Sequence, residues 1–179
     1  MKTQAQANIE LTKLCSLIED IPVAMLTSFD ADGTLASRPM AVLEMDGNGA
    51  LWFFTDLRSA KVQELRNLNL SFSDVAHGSY VSLSGHGEIN TDRARIGRMW
   101  TPLAKPWFPA GPESAHLGLL KFMPEAAEYW DAPHNSMVRM FAMAASVVAG
   151  KPVGMGEHDN LTHLTRPAAA AAASTAARV

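Results

Sequence analysis

The links between the first strand-like runs are too short to hold a helix, and that restricts the fold more than any other feature. Val23-Ala24-Met25-Leu26-Thr27-Ser28-Phe29 is followed by the turn Asp30-Ala31-Asp32-Gly33. A second run, about 34–45, ends at Asp46-Gly47-Asn48-Gly49. Asp-Gly and Asn-Gly pairs between apolar runs are strong hairpin signals. Residues 50–55 form a third run that is nearly all apolar. Parallel neighbours need crossovers of a dozen or more residues, so the three strands are expected to form an antiparallel meander.

The rest of the chain adds strands and a few helices. Residues 3–19 carry Ile9, Leu11, Leu14, Cys15 and Ile18 at helical spacing, which predicts an amphipathic helix ended by Pro22. A helix is expected at about 59–67, with Val62, Leu65 and Leu68 on one face. A fourth strand follows at Leu70–Val75 and a long fifth from Tyr80 to Ile89. The fifth strand has small residues at Ser82-Leu83-Ser84-Gly85-His86-Gly87, where a bend or a close backbone approach is expected. Thr91-Asp92-Arg93-Ala94 caps another helix ending near Trp100-Thr101. The prolines of Lys105–Pro112 remove donors and exclude regular structure there. Leu117–Met123 reads as a sixth strand, and Ala126–Trp130 beyond Pro124 as a seventh. Ser136–Ala149, with Met137, Met140 and Met143, reads as a packing helix. Six or seven short strands with few intervening helices predict a mainly β fold, a small barrel with peripheral helices.

Residues 1–155 are expected to form one domain, followed by a C-terminal extension, 156–179. Past Arg166 that extension is alanine-rich and low in complexity; without an apolar stripe to pack, it reads as a mobile tail. At 179 residues, 47% hydrophobic and 18% charged, the composition is that of a soluble globular protein. A formal charge of −3 gives no basic footprint for nucleic acid. No apolar run approaches a membrane span, and the polar Met1–Gln6 lacks the core of a signal peptide. The single Cys15 allows no internal disulfide, so a reducing cytoplasm is the expected location. Cys15 itself reads as a small buried hydrophobe. The six histidines show no metal-ligand spacing, His86 reads as a satisfied strand histidine, and neither a P-loop nor a nucleophile elbow is present.

Chemistry concentrates in residues 36–61. Ser37-Arg38-Pro39-Met40 lies on one strand, Trp52-Phe53-Phe54-Thr55 on the next, and Asp56-Leu57-Arg58-Ser59-Ala60-Lys61 opens the predicted helix. A helix N-terminus attracts anions, and Ser59 is its natural cap. Arg58 and Lys61 would be mildly unfavourable there unless an anion compensated them. A guanidinium buried within a strand also needs an anionic partner, and no acidic residue adjoins Arg38 along its strand until Glu44; an Arg38 that faces water is the alternative. A phosphate joined to a flat ring fits these requirements. A plainly capped helix with solvated charges fits the local sequence as well.

The order Ser-Arg-Pro-Met, Trp-Phe-Phe-Thr and Ser-Ala-Lys-Val-Gln-Glu-Leu resembles the FMN-binding split barrels related to pyridoxamine 5′-phosphate oxidase. It is most similar to their general stress protein 26 branch. The likeness continues through Tyr80-Val81-Ser82-Leu83-Ser84-Gly85, Met99-Trp100, Trp107-Phe108-Pro109, Leu119-Leu120-Lys121 and Ala127-Glu128-Tyr129-Trp130-Asp131, covering about residues 8–132. It implies a six-stranded antiparallel split β-barrel, a homodimer, and FMN at the subunit interface. On the family pattern Arg38 and Lys61 would hold the phosphate, with Ser59 and Thr55 donating hydrogen bonds. Backbone around Ser37, Pro39 and Met40 would follow the isoalloxazine edge, and Phe53 and Phe54 would line the strand beneath. Trp107 and Phe108 from the partner, and Trp130, would cover the ring; a buried dimer loop and a core tryptophan are the alternatives for these three.

The resemblance has limits. Pyridoxamine 5′-phosphate oxidase uses a C-terminal segment with Arg and Trp, whereas this chain has an Ala/Met helix and an alanine tail, which argues against vitamin B6 oxidation. The expectation is a general-stress flavoprotein acting as a low-specificity FMN-dependent oxidoreductase, with NAD(P)H a candidate donor and no catalytic residue named. Two alternatives remain: a flavin-binding stress protein without turnover, acting as buffer or sensor, and a relative that takes F420 or haem.

Overall fold

The computed structural model describes residues 1–30, 32–59, 65–131, 146, 149, 157–162 and 164. The predicted helix over 136–149, apart from helical Ser146 and Ala149, and the alanine tail lie outside these residues.

Asn8 starts helix α1 (Ile9–Ile18), its side-chain oxygen accepting from the Leu11 N–H at 2.8 Å. Leu11, Leu14, Cys15 and Ile18 form the buried face, and burial pushes the Cys15 thiol pKa up, followed by the negative charge of Glu19. The helix is shorter than the expected 3–19. Ile9 lies off its apolar stripe and is 81% exposed. Strand β1 (Lys2–Thr3) pairs in parallel with β4 (Glu44–Met45), which takes the N-terminal residues away from the helix. At the other end the helix stops at Ile18, ahead of Pro22.

Among the described residues the sheet contains nine strands, not six. Besides β1 and β4 these are β2 (Val23–Phe29), β3 (Leu35–Ala41), β5 (Leu51–Asp56), β6 (Leu68–Asp74), β7 (Ser79–Asn90), β8 (Leu117–Asp131) and β9 (Glu157–Thr162). The order is β1-β4-β5-β8-β7-β6-β2-β3, with β9 also on β8. The count differs because β1 and β4 are two residues each, and β9 is too polar to show an alternating pattern. The expected sixth and seventh strands are one, since the strand runs through Pro124 and its pairing with β7 resumes after a one-residue register shift. The expected helix at 59–67 does not reach its end, because residues 65–67 are not helical and Leu68 already belongs to β6; residues 60–64 lie outside the described residues.

The expected meander is broken at Val42-Leu43. The β2–β3 and β4–β5 hairpins form as predicted, but β3 and β4 fall at opposite ends of the strand path, six pairings apart. Six strand spacings laid flat would span about 29 Å, whereas the chain from Ala41 to Glu44 reaches about 10 Å at most. The sheet therefore has to curl until its ends approach, giving an open, split half-barrel with peripheral helices.

Leu26, Met40, Leu51, Phe53, Leu70, Phe72, Leu83, Leu120 and Phe122 fill the main core together with the apolar face of α1. A second cluster, Trp52, Ile96, Met99, Leu117 and Leu119, lies under α2 (Arg93–Met99), with Phe54, Trp100 and Phe108 packed against it. Strands β5 and β8 contribute to both clusters, which accounts for their nearly continuous apolar runs. The register of β7 on β8 shifts between Ser84 and Gly85, leaving Glu125 as the extra residue of a bulge. This is the close backbone approach expected there: a Cβ on Gly85 would overlap the Met123 carbonyl oxygen.

Candidate functional site

The end of β5 brings two polar side chains into an apolar setting. Thr55, the next to last residue of the strand, is 1% exposed. The chain then turns, with the Leu57 N–H donating to the His116 carbonyl at 2.9 Å and the Ser59 N–H to the Asp56 carbonyl at 3.0 Å. Thr55 Oγ1 and Ser59 Oγ are both buried, and neither has a hydrogen-bond partner among the described residues. A buried hydroxyl without a partner costs about 1–3 kcal/mol. The two lie four residues apart across one turn, and each could donate to an acceptor that the described residues do not supply.

The nearby cations are only partly available. Arg58 clamps Asp56, donating from Nε to Oδ1 at 3.0 Å and from an Nη to Oδ2 at 2.6 Å. The side-chain hydrogen bonds of Arg58 first, and its backbone N–H second, hold the Asp56 carboxyl well below the usual carboxylate range. Arg58 is thus neutralised two residues away and needs no external anion. Lys61 lies outside the described residues.

Arg38 also has a partner, which corrects the expectation that no acid adjoins it. Leu26 is opposite Arg38 in the β2–β3 ladder, so Leu26, Ser28 and Asp30 share its face. Arg38 donates to Ser28 Oγ at 3.1 Å and to Asp30 Oδ1 at 2.9 Å. The anion stands across the hairpin and not along the strand. The register of the hairpin is the signal that points to both Ser28 and Asp30. Arginine carries five N–H donors, and these bonds occupy two of them. Met40 joins the main core, while Ser37 and Pro39 lie on the outer face, where Ser37 shares a 2.7 Å hydrogen bond with Thr27.

The aromatic candidates do not converge. Phe53 and Phe54 point to opposite faces of β5, Phe53 into the main core and Phe54 into the second cluster. Phe108 reaches Phe54 within the same chain, their rings edge to face with centroids 6.3 Å apart. Trp107 beside it is 76% exposed. Trp130 is 42% exposed and stacks on His158 of β9 at 4.9 Å, a neighbour that the sequence did not indicate. His86 is satisfied as expected, its Nδ1 lying 2.6 Å from Oε1 of the bulged Glu125.

A curled, open split sheet with peripheral helices defines a split-barrel fold. A family model described as pyridoxamine 5′-phosphate oxidase like matches residues 10–153, and the chain belongs to that family, in its general stress protein 26 branch. A crystal structure provisionally identified as general stress protein 26 from Jannaschia sp. CCS1 is 26% identical, with a TM-score of 0.67, covering 84% of this chain and 96% of its own. The general stress FMN/FAD binding protein of Xanthomonas citri is 29% identical, with a TM-score of 0.56, covering 68% of this chain and 87% of its own. Protein bli-3 of Neurospora crassa is 28% identical in an alignment 165 positions long that covers 85% of this chain and 79% of that protein. The chain is therefore related to flavin-binding general stress proteins. No helix among the described residues is long and apolar enough to cross a membrane.

Proposed function

We propose that the chain binds FMN with its phosphate at the end of β5 and works as a homodimeric, low-specificity flavin oxidoreductase. The observation that carries this reading is the pair of buried, unpartnered hydroxyls of Thr55 and Ser59. A phosphate dianion accepts from both and repays the desolvation that they otherwise leave uncompensated. Lys61, two residues past Ser59, supplies a cation, and Arg38 adds one through its free N–H groups while Asp30 fixes its orientation. The backbone of residues 37–40 follows the ring edge.

A second copy of the chain is supported by the outer face of the β2–β3 hairpin. There Val23, Met25, Phe29 and Leu35 are all large apolar side chains left substantially exposed on one surface. Trp107 is exposed and free to cover a ring in the partner. When bound, FMN supplies the hydride and electron chemistry; the chain binds its phosphate, orients its ring and limits the access of water. Residues 1–155 form the flavin-binding unit in this reading.

FMN titration of the purified full chain, alongside Arg38→Ala and Lys61→Ala, tests it. Each variant is expected to lose about tenfold or more in affinity, as for other charge-assisted contacts. Unchanged affinity in both would mean that the phosphate lies elsewhere. Saturable FMN binding without any NAD(P)H oxidation would leave a flavin-binding protein and remove the enzyme.

A further inference from the structure

Beside the first half of β5, away from Thr55, a cleft of ≈ 480 Å³ opens between the N-terminal strand, β4 and α2. Its lining is Lys2, Gln4, Glu44, Arg95, Arg98 and Met99. Three cations face one carboxylate there, in a chain whose formal net charge is −3. The carboxylate is already engaged, since Gln4 Nε2 donates to Glu44 Oε1 at 2.7 Å.

Arg95 is held in an unusual way. Its guanidinium carbon sits 3.5 Å from the centroid of the Trp52 ring, and Glu44 Oε1 is 3.9 Å from its Nη, beyond hydrogen-bond reach. Among the described residues the Arg95 side chain makes no hydrogen bond, and its Nε is buried without a partner. Stacking uses the faces of a guanidinium and leaves its N–H edge for a fork of oxygens. Arg98, three residues on, lies on the same side of α2 and has no acidic partner among the described residues. Arg95, stacked on Trp52 before anything binds, loses little entropy on binding an anion, and Arg98 adds a second charge beside it. Met99 supplies an apolar wall.

We infer that this cleft is a second binding site, for a small organic dianion presented through phosphate or carboxylate oxygens. The volume is within the range of small-molecule sites, and the inference is independent of the flavin reading.

Calorimetric titration of the full chain with glycerol 3-phosphate and, separately, succinate at constant ionic strength tests it and distinguishes the two oxygen donors. At least one is expected to saturate a single site per chain. Arg95→Met is expected to weaken that binding about tenfold or more. Arg98→Ser, at an exposed position that the fold does not need, should weaken it in the same direction. The combined Thr55→Val, Ser59→Ala variant should leave it intact. The inference is overturned if neither dianion saturates, if Arg98→Ser and Arg95→Met bind as the wild type does, or if binding is lost only in the Thr55 and Ser59 variant.

Discussion

The chain carrying both Thr55→Val and Ser59→Ala is expected to be more stable than the wild type without flavin, yet to bind FMN about a hundredfold more weakly or worse. The two effects have one cause. In the flavin-free chain each hydroxyl is buried without a partner among the described residues, so removing it relieves a desolvation cost and loses no hydrogen bond to them. Valine keeps the shape of threonine at a position that is 1% exposed, and a gain of about 1 kcal/mol is the scale for removing such a group. Two charge-assisted bonds to phosphate then disappear from the complex. Urea unfolding with and without FMN measures both quantities. At a hundred times its dissociation constant FMN should stabilise the wild type by about 2.7 kcal/mol, and this increment should nearly vanish in the variant. A variant that is less stable without flavin and unchanged in FMN affinity would show that the hydroxyls serve the fold.

Gly85→Ala is expected to destabilise the chain by about 3 kcal/mol, at the upper end of the range for overpacking. The added Cβ would overlap the Met123 carbonyl oxygen and come within 3.0 Å of Phe122 Cζ. The first of these is backbone in the facing strand, which cannot rotate away. The position lies at the register shift between β7 and β8, where Pro124 is opposite Gly85. Relief would require separating the two longest strands of the sheet. Gly97→Ala in α2 is the control, because a Cβ there meets nothing within 4 Å and alanine favours the helix. Comparing the urea midpoints of the two variants separates a close backbone approach from a general cost of replacing glycine.

What the sequence made legible was local chemistry. The Asp46–Gly49 turn forms as read because Asp46 satisfies it internally: its Oδ1 accepts from the Asn48 and Ala50 N–H groups at 3.0 and 3.1 Å. The cap of α2 by Asp92 is legible for the same reason. Features set by distant strands are not. Nothing in residues 34–45 marks Val42-Leu43 as the point where the chain leaves one edge of the sheet for the other. Pro124 reads as a terminator, but it sits at a bulge, where a missing N–H disrupts the ladder least. The carboxylate that pairs with Arg38 lies across the hairpin, so the residues along its own strand do not reveal it. The opposite orientations of Phe53 and Phe54 do follow from the period of a strand. That period alone divides these two aromatic candidates between two faces. The unpartnered state of Thr55 and Ser59 depends on what surrounds them in three dimensions, so the sequence could nominate these hydroxyls but not show that they were orphaned.

The most direct measurement compares FMN with riboflavin, which differs from it only in lacking the phosphate. If the end of β5 is a phosphate cradle, the wild type binds FMN about a hundredfold more tightly or better. The ratio then narrows in the Thr55→Val, Ser59→Ala variant. Equal affinities for the two flavins, or no binding of either, would contradict the account.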